Sequence, residues 1–432
     1  MIISFEFGNV FSFKKKQKIS FEPEGLKEFK HHLHSIEGWK KEELLKSLAI
    51  YGHNSYGKSN FIKALRFFKE FIFSSFTQPK LLKCPPFLLN NYSLKEPSFF
   101  ELVFYIKDIK YRFGFEILND VIISEWLHYT PLGVRENYVY HRVNQEFIIS
   151  KIWNKENGNK LEIQAIPFAK PEVLLFSVLI AQDLTLIRDI ANKISQIVII
   201  KKLDDDIINK AVAIYSDSNY QSLIYKFLEN ADLGFVTIFD KIERQLKSTS
   251  NEKVILNWLY EEEIKNFEMY TFHDIYNKNY EKITTLKFDL FKNESDGSIK
   301  FFILSSFLSY AIKNQILICI DEIDSKLHPH LLTLLITEYH NTGSISSGAQ
   351  LIFTTHNTVL FDKQMRRDQF VVIEKNNYGE SSVKKVHTKD SPVRIDASME
   401  KEYRKGGLGG VSKKVLKNTN QGTLFEEDEF TQ

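Results

Sequence analysis

The sequence predicts an α/β fold: a parallel-sheet core with an antiparallel β subdomain and an inserted helical subdomain. Three observations predict it. A strand-like run at 47–51 leads straight into a glycine-rich turn and an amphipathic run containing Phe61, Ile62 and Leu65. From residue 298 onward, helical spacing alternates with buried strand-like runs at 316–320, 351–354 and 370–373, the signature of a parallel core. Between about 98 and 165, short runs rich in Phe, Tyr, Ile and Val are punctuated at Asn119-Asp120, Pro131 and Asn157-Gly158, as in an antiparallel sheet.

The elements follow in order. Residues 1–50 read as two strands flanking a charged segment, and the N-terminal alternation is that of a strand rather than of a secretory leader. A helix starts at Lys58. From about 170 to 285 the spacing turns helical, with Ile187, Ile190, Ile194 and Ile197 at steps of three and four. No heptads persist there as a long coiled-coil arm would require. The domain reading is therefore a first lobe at 1–165, a helical insertion at 166–285, a second lobe at 286–415 and a flexible acidic tail at 416–432 that includes Leu424 and Phe425.

At 432 residues the chain exceeds a usual single domain and can bury a large core. Its 57 basic and 55 acidic residues leave a formal charge of +2, which gives no global case for nucleic acid or an anionic membrane. The run Lys14-Lys15-Lys16 with Lys18 reads as a solvated turn or edge, with DNA contact as the alternative. Two distant cysteines, Cys84 and Cys319, form neither a disulfide framework nor a zinc site, and a reducing, cytoplasmic setting is expected. The longest apolar stretch, at 301–312, is well short of the ~20 residues a bilayer span needs. No membrane span is expected. Phe is abundant, at 36 residues.

Gly52-His53-Asn54-Ser55-Tyr56-Gly57-Lys58-Ser59 satisfies GxxxxGKS between a strand and a helix. Small residues let backbone N–H groups surround phosphate oxygens, and the following helix presents its positive end to the same anion. Gly52, Asn54, Ser55, Gly57, Lys58, Ser59 and Asn60 are thus candidate ATP-binding residues. Lys58 would neutralise the β and γ phosphates, and Ser59 would offer a hydroxyl to Mg²⁺. An apolar strand ending in Asp321-Glu322 places both acids at the carboxyl edge of the sheet, where α/β folds bind ligands. Asp321 is the second candidate Mg²⁺ residue, and Glu322 the candidate general base.

The run Asp321-Glu322-Ile323-Asp324-Ser325-Lys326-Leu327-His328-Pro329 resembles the Walker B and D-loop of ABC ATPases, and Thr354-Thr355-His356-Asn357 resembles their switch region. Glu294-Ser295-Asp296-Gly297-Ser298 is similar to the ESDG signature variant of the RecF-related branch. The resemblance implies a P-loop NTPase of ABC-ATPase type. It gives His356 a γ-phosphate contact and makes Ser295, with Gly297, a group donated in trans to the nucleotide of a second copy. By itself, Ser295 at a helix start reads as an N-cap. The Q-loop glutamine of these proteins is not found near 86–90, and Phe11 stands where relatives carry a basic residue. Together with 231–235 and 404–410, the motifs resemble the AriA-type and RloA-type ATPases of bacterial anti-phage defence. That resemblance implies a homodimer or higher homo-oligomer, an effector such as a TOPRIM-like nuclease in another chain, and DNA or a phage component as trigger. The alternative is a RecF-like repair ATPase that clamps DNA on ATP-driven dimerisation.

Overall fold

Eighteen strands appear among the described residues, in chain order β1 (Ile2–Gly8), β2 (Gln17–Ser20), β3 (Leu33–Ser35), β4 (Glu43–Leu45), β5 (Ser47–Tyr51), β6 (Ser98–Ile106), β7 (Ile109–Leu118), β8 (Val121–Pro131), β9 (Asn137–Val143), β10 (Glu146–Ile149), β11 (Val198–Ile200), β12 (Ile238–Leu246), β13 (Glu262–Tyr276), β14 (Lys282–Asp289), β15 (Leu317–Ile320), β16 (Gln350–Thr354), β17 (Phe370–Lys375) and β18 (Ser381–Lys385). The structure is a computed structural model. It describes residues 1–410 except 37, 40–41, 79–81, 152, 154–164, 184, 236–237, 247–261, 343–347, 362–363, 392 and 394–397. The Asn157-Gly158 turn and the acidic tail read at 416–432 lie outside the described residues.

The core sheet runs β11-β15-β16-β5-β17-β18, parallel throughout except for the β17–β18 hairpin. Both faces are covered, so the central strands β5, β15 and β16 are buried at every residue. Leu48, Ile50, Cys319 and Ile352 face one hydrophobic cluster, while Ala49, Tyr51, Ile318, Ile320 and Leu351 face the other. The second cluster is closed by helices Asp205–Ser216, Ser218–Glu229, Asp296–Asn314 and Pro329–His340.

The first cluster joins the core sheet to the antiparallel sheet β10-β9-β8-β7-β6-β1-β2 through the helix Lys58–Ser74. Phe61, Phe68 and Phe71 of this helix meet Phe5 of β1 and Phe115 of β7 at ring-centroid separations of 5.3–6.5 Å. Offset and tilted aromatic pairs add to plain burial. The phenylalanines that crowd this sequence therefore form the layer that fixes the helix, and with it the loop ahead of it.

A buried ion pair pins the next helix. Arg142 Nη1 lies 3.7 Å from Glu125 Oε2, both side chains without exposure. Glu125 accepts from the amides of Leu175 and Phe176 at the start of the helix Leu175–Ala181 and from Tyr140 Oη, while Arg142 donates to the Val173 and Lys170 carbonyls.

Three expectations are corrected. The first fifty residues hold five strands rather than two, because β3 and β4 span only three residues each, too short for periodicity to register. The core sheet takes its edge strand β11 from the segment read as an insertion. That segment is helical at Leu175–Ala181, Thr185–Ser195, Asp205–Ser216 and Ser218–Glu229, but from Ile238 it forms the antiparallel sheet β12-β13-β14. Period-two burial accompanies this: Met269 and Thr271 of β13 are buried, and from Tyr270 to Tyr276 the strand is rich in β-branched and aromatic residues. The Lys14–Lys18 run sits at the β1–β2 turn, on the edge of the antiparallel sheet, where Lys14 pairs with Glu380, Lys16 with Glu116 and Lys18 with Glu22.

Candidate nucleotide-binding site

β5, β16 and β15 are adjacent in the core sheet, so their carboxyl ends deliver three motifs to one edge. After β5 the backbone bends through Gly52 (φ +154°), Ser55 (φ +66°) and Gly57 (φ +119°) before the helix begins at Lys58. A Cβ on Gly57 would lie 2.7 Å from Ser381 Oγ and 2.9 Å from Ser12 Oγ, so both space and conformation require glycine there. Ser12 also accepts from Asn60 Nδ2. The Asn9–Phe13 turn thus braces the loop from outside.

Lys58 turns back into the loop, its Nζ donating to the carbonyls of Gly52 (2.6 Å) and His53 (3.4 Å). Burial lowers its pKa to about 8, against the opposing charges of Asp321, Glu322 and Asp324. At the end of β15, Asp321 Oδ1 accepts from Thr354 Oγ1 (2.6 Å), and the same hydroxyl accepts from the Glu322 amide (2.7 Å). Glu322 sits at φ +48°, left-handed for a residue with a side chain. His356 follows β16, its amide donating to Asp324 Oδ2 (3.1 Å). Burial and the neighbouring Lys58 hold its imidazole below the usual range, so it is neutral at pH 7.

Asn54, Ser55, Gly57, Lys58, Ser59, Asn60, Glu322 and His356 line one cavity of about 130 Å³. Gly52 and Asp321 stand just behind it, through Lys58 and Thr354 respectively. Ser295 and Gly297 are not part of this cavity. Ser295 is exposed and caps the helix Asp296–Asn314 by accepting from the Ser298 amide (3.1 Å), while Gly297 packs on the D-loop, where a Cβ would lie 3.0 Å from the Lys326 carbonyl oxygen. Residues 86–90 also stay away: the Phe87 amide donates to Asn9 Oδ1. A larger cavity of about 640 Å³, lined by Arg66, Lys69, Lys201 and Lys202, lies beside β11 and includes none of the motif residues.

The glycine-cradled loop, the inward ammonium and the adjacent hydroxyl and carboxylate fit a phosphate chain carrying a divalent cation. Among the described residues no group of three or more His, Cys, Asp or Glu side chains converges to hold a metal. Protein oxygens of Ser59 and Asp321 would then share the ion with phosphate and water, the coordination Mg²⁺ prefers. Thr354 was not singled out from sequence, because its partners Asp321 and Glu322 lie more than thirty residues away along the chain. Lys300, a lone cation in the apolar run Ile299-Lys300-Phe301-Phe302, was also overlooked.

No helix among the described residues is long and apolar enough to cross a membrane. The family described as "AAA domain, putative AbiEii toxin, Type IV TA system" matches residues 47–362, from the first residue of β5 to past His356. Among solved structures, the chain is similar to the SMC head domain from Thermotoga maritima, with 13% identity, 91% of this chain and 99% of that one covered, and a TM-score of 0.39. It is also similar to an Smc head domain with an extended coiled coil bound to the C-terminal domain of ScpA derived from Pyrococcus furiosus, with 12% identity, 97% and 99% covered, and a TM-score of 0.38. No curated protein matches. With a matched region that takes in the P-loop, the Asp321-Glu322 strand end and His356, the chain belongs to this AAA family and has the fold of a P-loop ATPase.

Proposed function

We propose that the chain is a slow ABC-type ATPase in which two copies bind Mg-ATP between them, and that this assembly is a switch controlling a separate effector. The observation that carries the reading is the division of the motifs. Lys58, Glu322 and His356 meet in one cavity, whereas Ser295 stands exposed at the start of a 19-residue helix, free to face another copy.

Loop amides and Lys58 bind the β and γ phosphates, and the helix end Lys58–Ser74 adds its positive dipole. Ser59 and Asp321 would hold Mg²⁺, which would supply charge neutralising the phosphates. Thr354 orients the Asp321 carboxylate and fixes the Glu322 amide. Glu322 orients the attacking water and takes its proton. Neutral His356 offers a hydrogen bond to the γ-phosphate without adding charge. The second copy contributes the Ser295 hydroxyl and the first turn of its helix. ATP thereby becomes part of an interface, and hydrolysis releases it.

A role in anti-phage abortive infection, with a nuclease-type effector in another chain, is supported by the motif resemblance; the family's description, "putative AbiEii toxin, Type IV TA system", supports a toxin–antitoxin setting and names no separate effector. The test is the mass in solution by light scattering, with and without Mg-ATP, for Glu322→Gln and for Glu322→Gln combined with Ser295→Arg. Doubling of mass with ATP, lost on adding Ser295→Arg, is expected. Unchanged mass, together with normal hydrolysis by Ser295→Arg alone, would leave a monomeric P-loop NTPase instead.

A further inference from the structure

Lys300 is 4% exposed in the second turn of the helix Asp296–Asn314. Its Nζ donates to the Glu322 carbonyl (2.9 Å), the Ser325 carbonyl (2.8 Å) and Ser325 Oγ (2.6 Å). Three donors thus meet three acceptors, none of them a carboxylate. Burying an ammonium costs more than burying a methionine of similar length, so packing alone does not account for it.

What the charge holds is a bent turn. All three acceptors belong to the segment after β15, in which Glu322 (φ +48°) and Lys326 (φ +61°) both adopt left-handed conformations. Such conformations persist only where the surroundings over-determine them. The Glu322 carbonyl is fixed by Lys300 and its amide by Thr354 Oγ1, so the peptide units on both sides of the proposed base are clamped. The same turn is fastened to the helix start by the Lys326–Asp296 ion pair (2.8 Å) and by the close approach of Gly297 to the Lys326 carbonyl. Lys300 stands five positions after Ser295, so one helix end carries both.

We propose that Lys300 is a positioning residue that couples the two halves of a composite ATP site: it transmits movement of the Ser295 helix end, set by a second copy's nucleotide, to the backbone of Glu322 in its own chain. This rests on the reading given under Proposed function. Burial lowers the ammonium to about 8, while Asp324 and Glu322 oppose the shift, so the group is charged at neutral pH.

The experiment compares the full-length wild type with Lys300→Met, Lys300→Arg and Ser325→Ala. It measures melting temperature, affinity for a fluorescent ATP analogue, ATP-driven mass increase, and hydrolysis rate per assembled dimer. Lys300→Met is expected to bind nucleotide and assemble like the wild type, yet hydrolyse at least roughly tenfold more slowly, the scale of a misplaced reacting group. Lys300→Arg should recover part of that rate. A purely structural lysine would instead lose melting temperature, affinity and assembly together. Should Lys300→Met not fold, Ser325→Ala decides, since it removes a single acceptor: assembly with a severalfold slower rate supports the coupling, and an unchanged rate overturns it. Wild-type rates in assembled Lys300→Met overturn it as well. If wild type does not assemble, or if Glu322→Gln hydrolyses normally, the composite-site reading itself has failed, whatever Lys300 does.

Discussion

At the scale of single residues, Thr354 is the sharpest test of the site. Replacing it with valine keeps the volume but leaves the Glu322 amide and Asp321 Oδ1 without their shared partner. Loss of such a hydrogen bond to a charged group costs about 1.5–3 kcal/mol, so steady-state hydrolysis should fall by roughly tenfold to a hundredfold. The melting temperature should change little, and a rate within twofold of wild type would refute the role. Gly57→Ala should abolish nucleotide binding, measured by calorimetry, because the new methyl would lie 2.7 Å from Ser381 Oγ at a φ of +119°. Lys58, Ser59, Asp321, Glu322 and His356, which the structure brings to one sheet edge, were legible as candidates because short spacings in sequence mark them. Thr354 and Lys300 were not, since each acts through a contact with a segment more than twenty residues away.

Among the elements, the clearest prediction concerns the buried pair that holds the helix Leu175–Ala181 to β8 and β9. Arg142→Met leaves the Glu125 carboxylate buried without its cation, and a loss of about 3–5 kcal/mol in unfolding free energy is expected from guanidinium titration. A change below about 1 kcal/mol would mean that the carboxylate is carried by its amide and tyrosine donors alone. The helix Lys58–Ser74, with its amphipathic run, and the core strands β5, β15, β16 and β17, with their short apolar runs, were readable from the sequence. β11 was not, because a three-residue strand acquires its identity only by pairing with β15. The β12-β13-β14 sheet was missed for a different reason: helical spacing around Ile187 to Ile197 was extended past the point where alternation replaces it.

For the whole molecule, acid stability should be set by histidines buried where distant chain segments meet. His32 and His340 stack at 3.7 Å, and His34 Nε2 donates to the Ala349 carbonyl (2.6 Å) while its Nδ1 accepts from the Gly348 amide (3.3 Å). The contacts of His34 admit only a neutral ring. Burial lowers His32 to about 3 and His34 to about 4, and lowers His340 well below its ordinary value. The unfolded chain therefore binds more protons than the folded one below pH 6.5, so stability is full above that value and falls as the pH drops toward about 4. Urea midpoints should decline steadily from pH 7 to pH 5. His34→Gln should flatten part of that decline, and an unchanged slope would remove His34 from the account.

The strand order β15-β16-β5 also has a consequence for chain entropy. The groups at residues 58, 321 and 354 are brought together by neighbouring strand ends, and the long excursion between Tyr51 and Leu317 need only return to the same edge. The cost of closing a loop grows only with the logarithm of its length, about 0.6 kcal/mol for each doubling. An excursion twice as long would therefore return its ends to the same places almost as cheaply, provided that it folds on its own. Lengthening the exposed turn at 277–281 of the sheet β12-β13-β14 would leave the spacing of this edge unchanged, while Met269 keeps the base of the sheet in the second hydrophobic cluster.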